Sequence, residues 1–239
     1  MEGGAGERLW TAGERIWTAG DLESMAGPFR AMLMNSVTGF KPANVVGTAS
    51  AAGVPNLAIF SSVVHLGSDP PLVGLVFRPP VARDRGSHSW HNLRETEQFT
   101  LSQVGVGWYE RAHATSARWP DGVSEFEAVG LTPWWAPGLP GFRAPAVAEA
   151  AIRMGLRWED SWEVPANGCR FVVGRVEWLV VPEAQIAADG ALDLVGAGTA
   201  AVSGLDGYHR VERLARCSYA RPHQPVEVVQ DFLRGFPRD

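Results

Sequence analysis

Arg78 closes an apolar run, LVGLVF, and after a loop Ser87, His88 and Ser89 open a short helical pattern that reaches Glu95. A phosphate asks for a fixed cation together with hydroxyl and N–H donors, and a strand-end arginine beside a helix start can supply all three. The competing reading pairs Arg78 with Asp84 and leaves the serines as helix caps. Upstream, Asn56 to His65 (NLAIFSSVVH) alternates as one strand, with Leu57, Ile59, Ser61 and Val63 on one side, so that adjacent Ser61 and Ser62 face opposite ways. Small residues at Phe60-Ser61-Ser62-Val63 offer what a flat ring such as an isoalloxazine requires: a slot without bulk, and backbone donors for its polar edge. An ordinary half-buried strand with two bonded hydroxyls fits the same letters.

Other chemistries are poorly provided for. His88 and His91 form an HxxH pair with no third ligand nearby, and Ser61 and Ser62 lack the GxSxG elbow of a hydrolytic nucleophile. The stretch 194–201 fits GxGxxA after a short apolar run, but Gly204 and Gly207 interrupt any helix, and Arg216 and Cys217 stand where a dinucleotide fold places an acid. Trp134 and Trp135 suit a ring-binding cavity and suit a core or interface equally well.

The elements that must position these groups are mostly strands. Strands are expected at 43–49, 56–65, 72–77, 99–104, 169–181 and 191–195, joined by Gly/Pro-rich turns. Helices are expected over 21–35, where Phe29, Met32 and Leu33 form a stripe suited to core packing, and over 146–155. A further amphipathic helix over 226–236 has Val229, Leu233 and Phe236 at helical spacing. The Trp/Pro/Gly-rich middle, 105–168, reads as loops. Many strands, few long helices and no βαβ alternation predict a mainly β fold with attached helices, of barrel type. Residues 7–20 hold a direct repeat, ERLWTAG then ERIWTAG, which brings Trp10 and Trp17 to one face if helical. It suits an arm on a second subunit or a partly ordered extension.

The 239 residues suit one elaborated domain, divided as an N-terminal extension (1–20), a main domain (21–222) and a C-terminal tail (223–239). Cys169 and Cys217 are too few for a disulfide scaffold and form no CxxC metal site, pointing to a reducing, cytoplasmic setting. A net charge of −5 with no basic block excludes a nucleic-acid footprint, and no apolar run is long enough to span a membrane.

Five blocks, NSVTGFKPANVVGTA, NLAIFSSVVHLGSDPPLVGLVFRP, HNLRETEQFT, RAHATSARW with SEFEAVGLTP, and GLDGYHRVERLARCSYARP, occur in order between Asp21 and Pro222. Together they resemble the flavin reductase-like family of FMN-binding split-barrel proteins, in its flavoredoxin-like branch. The resemblance implies a Greek-key split β-barrel, a homodimer, and FMN bound beside the barrel near the subunit interface. It implies ring contacts from Asn56 and from the backbone of Ser61, Ser62 and Val63, with the ribityl phosphate near Phe77, Arg78, Pro79, His88 and Ser89. It also implies a structural role for Asn92, and His113 and Tyr208 lining the pocket from the second subunit. Ser89 replaces the family's usual threonine and keeps its hydroxyl; Ser102-Gln103 stands where Asn-His is common. The activity implied is NAD(P)H:flavin oxidoreduction, with no catalytic side chain because the flavin carries the chemistry. The alternative is an FMN-binding electron carrier reduced by a partner protein.

Overall fold

The computed structural model describes residues 13–79, 88–120 and 122–236. The first copy of the repeat, with Trp10, and the loop residues Arg83, Asp84, Arg85 and Ser87 lie outside the described residues.

Seven strands form the main sheet: β1 (Asn44–Ala49), β2 (Pro55–Phe60), β3 (Val63–Ser68), β4 (Pro71–Phe77), β5 (Gln98–Gln103), β6 (Arg153–Glu163) and β7 (Arg170–Val180). Neighbours are antiparallel throughout, in the order β2-β1-β5-β6-β7-β4-β3. The two edges, β2 and β3, are consecutive in the chain and only Ser61 and Ser62 separate them. The sheet therefore curls until its edges meet there, without a ladder closing them: a split β-barrel.

Among the described residues five α-helices are attached: α1 (Ala19–Ser24), α2 (Gly27–Ser36), α3 (His88–Thr96), α4 (Tyr109–Ala114) and α5 (Glu125–Val129). Every residue of β1 is buried because both faces of the sheet are covered. Val46 faces inward with Leu75, Phe77, Phe99, Leu101, Leu156 and Leu93 of α3. Val45 and Leu57 face outward against Trp108, Ala112 of α4 and Phe126 of α5. Each such side chain contributes on the order of 2 kcal/mol by leaving water.

Several expectations are corrected. The predicted strand 56–65 is two strands on opposite edges of the sheet, broken at the serines. The predicted helix over 146–155 is instead a two-residue strand at Ala146–Val147 and the start of β6. There Thr100 Oγ1 donates to the Pro145 carbonyl at 2.7 Å and Val147 N–H donates to Ser102 Oγ at 3.0 Å, so tertiary bonding overrides alanine's helical propensity. β6 itself, expected as loop, extends with β7 into a charged ribbon in which Arg157–Glu177 and Arg175–Glu159 pair across the strands. No strand forms over 191–195, which holds only the single bridge Ile186↔Leu192. The α2 stripe is not core: Phe29 is 57% and Met32 37% exposed, and no residue of α2 is buried.

The tail is not helical either; residues 223–236 carry turns and a short strand, Val228–Val229, paired with Arg216–Cys217. Arg216 explains why. It binds Asp189 in a fork, donates to the Phe232 carbonyl at 3.0 Å, and lies 4.7 Å from the Phe232 ring centroid. Asp189 also accepts from Phe236 N–H at 3.1 Å. The Arg216 guanidinium, then the Phe236 N–H, hold the Asp189 carboxyl well below the usual carboxylate range. A depressed carboxyl contributes stability that is complete above its unfolded value and disappears as pH falls through the folded one. The thermal-stability gap between the wild type and Asp189→Asn should therefore be full above about pH 5 and close progressively in stronger acid, as read by melting curves across pH.

Candidate functional site

α3 lies on the inner face of the sheet, over β1 and β2, and buried polar groups fix its first turn there. Asn56 on β2 pairs in register with Thr48 on β1, so both side chains point to α3. The Asn56 amide nitrogen donates to Thr48 Oγ1 at 3.1 Å and to Ser89 Oγ at 2.9 Å, and Asn92 Nδ2 donates to the same threonine at 3.1 Å. Thr48 and Ser89 are 0% and 1% exposed, where an unmet polar atom is costly. Asn56 is thus a strut between strand and helix, and its amide nitrogen is committed. Ser89 faces inward and accepts from Asn56; among the described residues its own proton has no acceptor.

Ser61 and Ser62 carry the chain across the split. Neither donates a backbone hydrogen bond among the described residues; the Ser62 carbonyl accepts from Val76 N–H at 3.1 Å and ties the crossing to β4. Ser61 is half-buried, Ser62 exposed, and Val63 packs against the inner core. Among the described residues, nothing accepts from the two backbone N–H groups at the crossing. That is the requirement for the polar edge of a ring.

At the end of β4, Phe77 is buried, edge-on to Phe60 with ring centroids 4.9 Å apart and 5.7 Å from Trp90 of α3. Its side chain is core, so Phe77 has only main chain to offer a ligand. Trp90 in turn lies under the guanidinium of Arg170 at 4.4 Å. Arg78 and Pro79 follow on the surface, and Arg78 makes no ion pair among the described residues. Lys41 donates from Nζ to the carbonyls of Asn35 and Gly204. Burial, then the repulsion of Arg78, lowers its ammonium below the ordinary lysine range. Among the described residues no carboxylate is bonded to either cation, while Asp84, the partner the sequence offers Arg78, lies outside them. His88, the first residue of α3, is exposed beside Ser89.

His113 and Tyr208 form a separate cluster. His113 Nδ1 lies 3.2 Å from the Tyr208 hydroxyl, and Tyr109 packs on Tyr208 with ring centroids 5.3 Å apart. No contact described here joins them to Asn56, Ser61 or Arg78 within one chain. The glycine-rich segment 194–199 is a set of turns followed by a strand, Ala200–Ser203, where a dinucleotide fold needs a helix. Two members of the site escaped sequence reading. Thr48 is an unremarkable strand threonine, and Glu125, which accepts from Leu57 N–H at 3.2 Å, stands in a polar-looking stretch. An acid next to the core residue Phe126 was the available signal.

Residues 31–194 match the model of the flavin reductase like domain, and the chain belongs to that family, whose members bind flavin. A candidate flavin reductase with split barrel domain from Shewanella frigidimarina is 37% identical, with a TM-score of 0.80 over 87% of this chain and 100% of that one. Nitrilotriacetate monooxygenase component B from Bacillus cereus shares the fold at 20% identity, with a TM-score of 0.73 over 85% of this chain and 100% of its own. A curated Halalkalibacterium halodurans protein is 30% identical over 64% of this chain and 73% of its length.

Replacing Asn56 by Ala removes both bonds from its amide: buried Ser89 loses its donor, and Thr48 keeps only the bond from Asn92. Urea unfolding of Asn56→Ala should show a loss of about 2 kcal/mol.

Proposed function

We propose that this protein is an FMN-dependent NAD(P)H:flavin oxidoreductase, acting as a homodimer in the cytoplasm. The observation that carries the reading is the juxtaposition built by Asn56: an unladdered backbone crossing at Ser61 and Ser62 on one side of it, and the start of α3 on the other. The residues present fit FMN. The free N–H groups at the crossing suit the acceptor edge of the ring, and small side chains leave its face open. Arg78, the hydroxyl of Ser89 and the first N–H groups of α3 suit a phosphate dianion, helped by the field of Lys41.

FMN, when bound, supplies acceptance of a hydride from reduced nicotinamide and its onward delivery as electrons. The chain binds, orients and shields; none of its side chains has to take a proton from substrate, in keeping with a site built of amides, hydroxyls and fixed cations. The apolar face of α2, with Phe29, Met32 and Met34 exposed, supports a second copy covering it. In that dimer His113 and Tyr208 of the second copy would line the pocket. Cys169 and Cys217 are both free thiols, in keeping with a reducing compartment. Among the described residues no helix is long and apolar enough to cross a membrane.

The purified protein should take up FMN with a shifted visible spectrum and oxidise NADH or NADPH once flavin is present. FMN bands without nicotinamide turnover would assign it instead to the electron carriers; no uptake of flavin would refute both. Arg78→Ala should weaken FMN by about 2 kcal/mol, thirtyfold in Kd, with the affinity for riboflavin unchanged, as read by titration of flavin fluorescence.

A further inference from the structure

The outer face of the sheet carries a positive charge without a counter-ion, where one of the two tryptophans of the middle segment packs. Arg153 opens β6 and stands opposite Ser102 of β5, which stands opposite Val45 of β1 and, through it, Ile59 of β2. Cross-strand partners share a face, and Val45 and Ile59 belong to the outer core, so Arg153 points outward as well. Three strand spacings, about 14 Å along the sheet, separate it from the strand that runs into the seam.

The surroundings of Arg153 are aromatic. Trp178 of β7 lies across Gly155, where any Cβ would collide with the indole, and its ring meets Trp134 and Phe142 edge-on with centroids 5.6 and 5.5 Å apart. The Arg153 guanidinium stacks on Trp134, 4.3 Å from the ring centroid. Its Nε is shut off from solvent with no partner, and so is Trp178 Nε1; the two terminal nitrogens of Arg153 are not shut off in this way. Among the described residues no carboxylate or carbonyl bonds to any of the three, and burial alone lowers the guanidinium below the ordinary arginine range. The other arginines of β6 and β7 are all paired: Arg157 with Glu177, Arg170 with Glu163, Arg175 with Glu159.

A guanidinium stacked on an indole is fixed in its plane, so its terminal N–H groups form a coplanar fork that fits the two oxygens of a carboxylate. Partial removal from water strengthens that attraction beyond what an exposed arginine offers. One cation with no second charge acting on it matches a monoanion; a phosphate dianion would bring an uncompensated charge onto an aromatic surface. The rings favour an apolar group on the same ligand.

We propose that Arg153, framed by Trp134, Trp178 and Phe142, anchors a second ligand site on the outer face of the barrel, for a monocarboxylate that carries an aromatic or other apolar group. The site is separate from the seam, and the proposal stands whether or not flavin binds there.

Benzoate is the probe, with acetate and inorganic phosphate beside it, titrated by calorimetry into the wild type, R153K and R153M, each as purified and again with FMN added, with melting curves alongside. The wild type should bind a single benzoate about tenfold more tightly than acetate or phosphate, with FMN leaving the constant unchanged. R153K keeps the charge without the fork and should weaken benzoate about tenfold. R153M should abolish binding and melt no lower than the wild type, because the charge it removes has no partner to lose. No uptake of benzoate by the wild type, equal affinity for phosphate, binding retained in R153M, or displacement of benzoate by FMN would each overturn the proposal. Should R153M fail to fold, R153K decides, and wild-type benzoate affinity in that variant would leave Arg153 as packing on Trp134 alone.

Discussion

One buried amide governs this site. Asn56 stands on an edge strand, donates to Thr48 beside it and to Ser89 above it, and so fixes the start of α3 on the strand that runs on to Ser61 and Ser62, where the sheet's two edges meet. The sheet alone cannot do this. Its edges are consecutive in sequence and must converge at Ser61 and Ser62, but a curled sheet leaves that junction as an open seam with unladdered N–H groups. The helix start, held on the same edge strand about one strand length from the seam, adds a second kind of donor to it. The packing follows the same demand: Phe60 and Phe77 of the sheet and Trp90 of α3 stack edge to face, so helix and sheet meet through aromatic core.

Charge is distributed in keeping with this division. On the β6–β7 ribbon three cations are neutralised across the strands, in Arg157–Glu177, Arg175–Glu159 and Arg170–Glu163. Exposed pairs of that kind contribute about 0.5 kcal/mol each and mainly keep the ribbon soluble. Arg78, at the end of β4, has no such counter-charge among the described residues, and its field reaches Lys41.

Much of the fold was legible from the residues. The apolar β-branched runs gave β1, β4, β5 and β7 to within about two residues, since strands buried on both faces advertise themselves by continuous hydrophobicity. β6 did not, because half of it lies beyond the barrel and carries Arg157, Glu159, Asp160 and Glu163, a composition that imitates a loop. The Ala-rich stretch after Pro145 imitated a helix, and only its bonds to Thr100 and Ser102 decide otherwise. Of the site, the family resemblance and the small residues at 61–63 indicated the ring side, and Arg78 with His88 and Ser89 the phosphate side. The link between them was invisible. Whether Asn56 faces a ligand or a helix depends on register with Thr48, and a carboxylate arriving from α5 is a contact across 68 positions of sequence.

The central claim is that ring and phosphate are held at the seam and at the adjoining helix start together. Hydrogen exchange followed with and without FMN tests it most directly. The account predicts that added FMN slows exchange at Ser61 and Ser62 and, in parallel, at Ser89 and its neighbours in the first turn of α3, while the tail latched by Arg216 is unaffected. Bound FMN with no change at these amides, or protection confined to another part of the barrel, would contradict it.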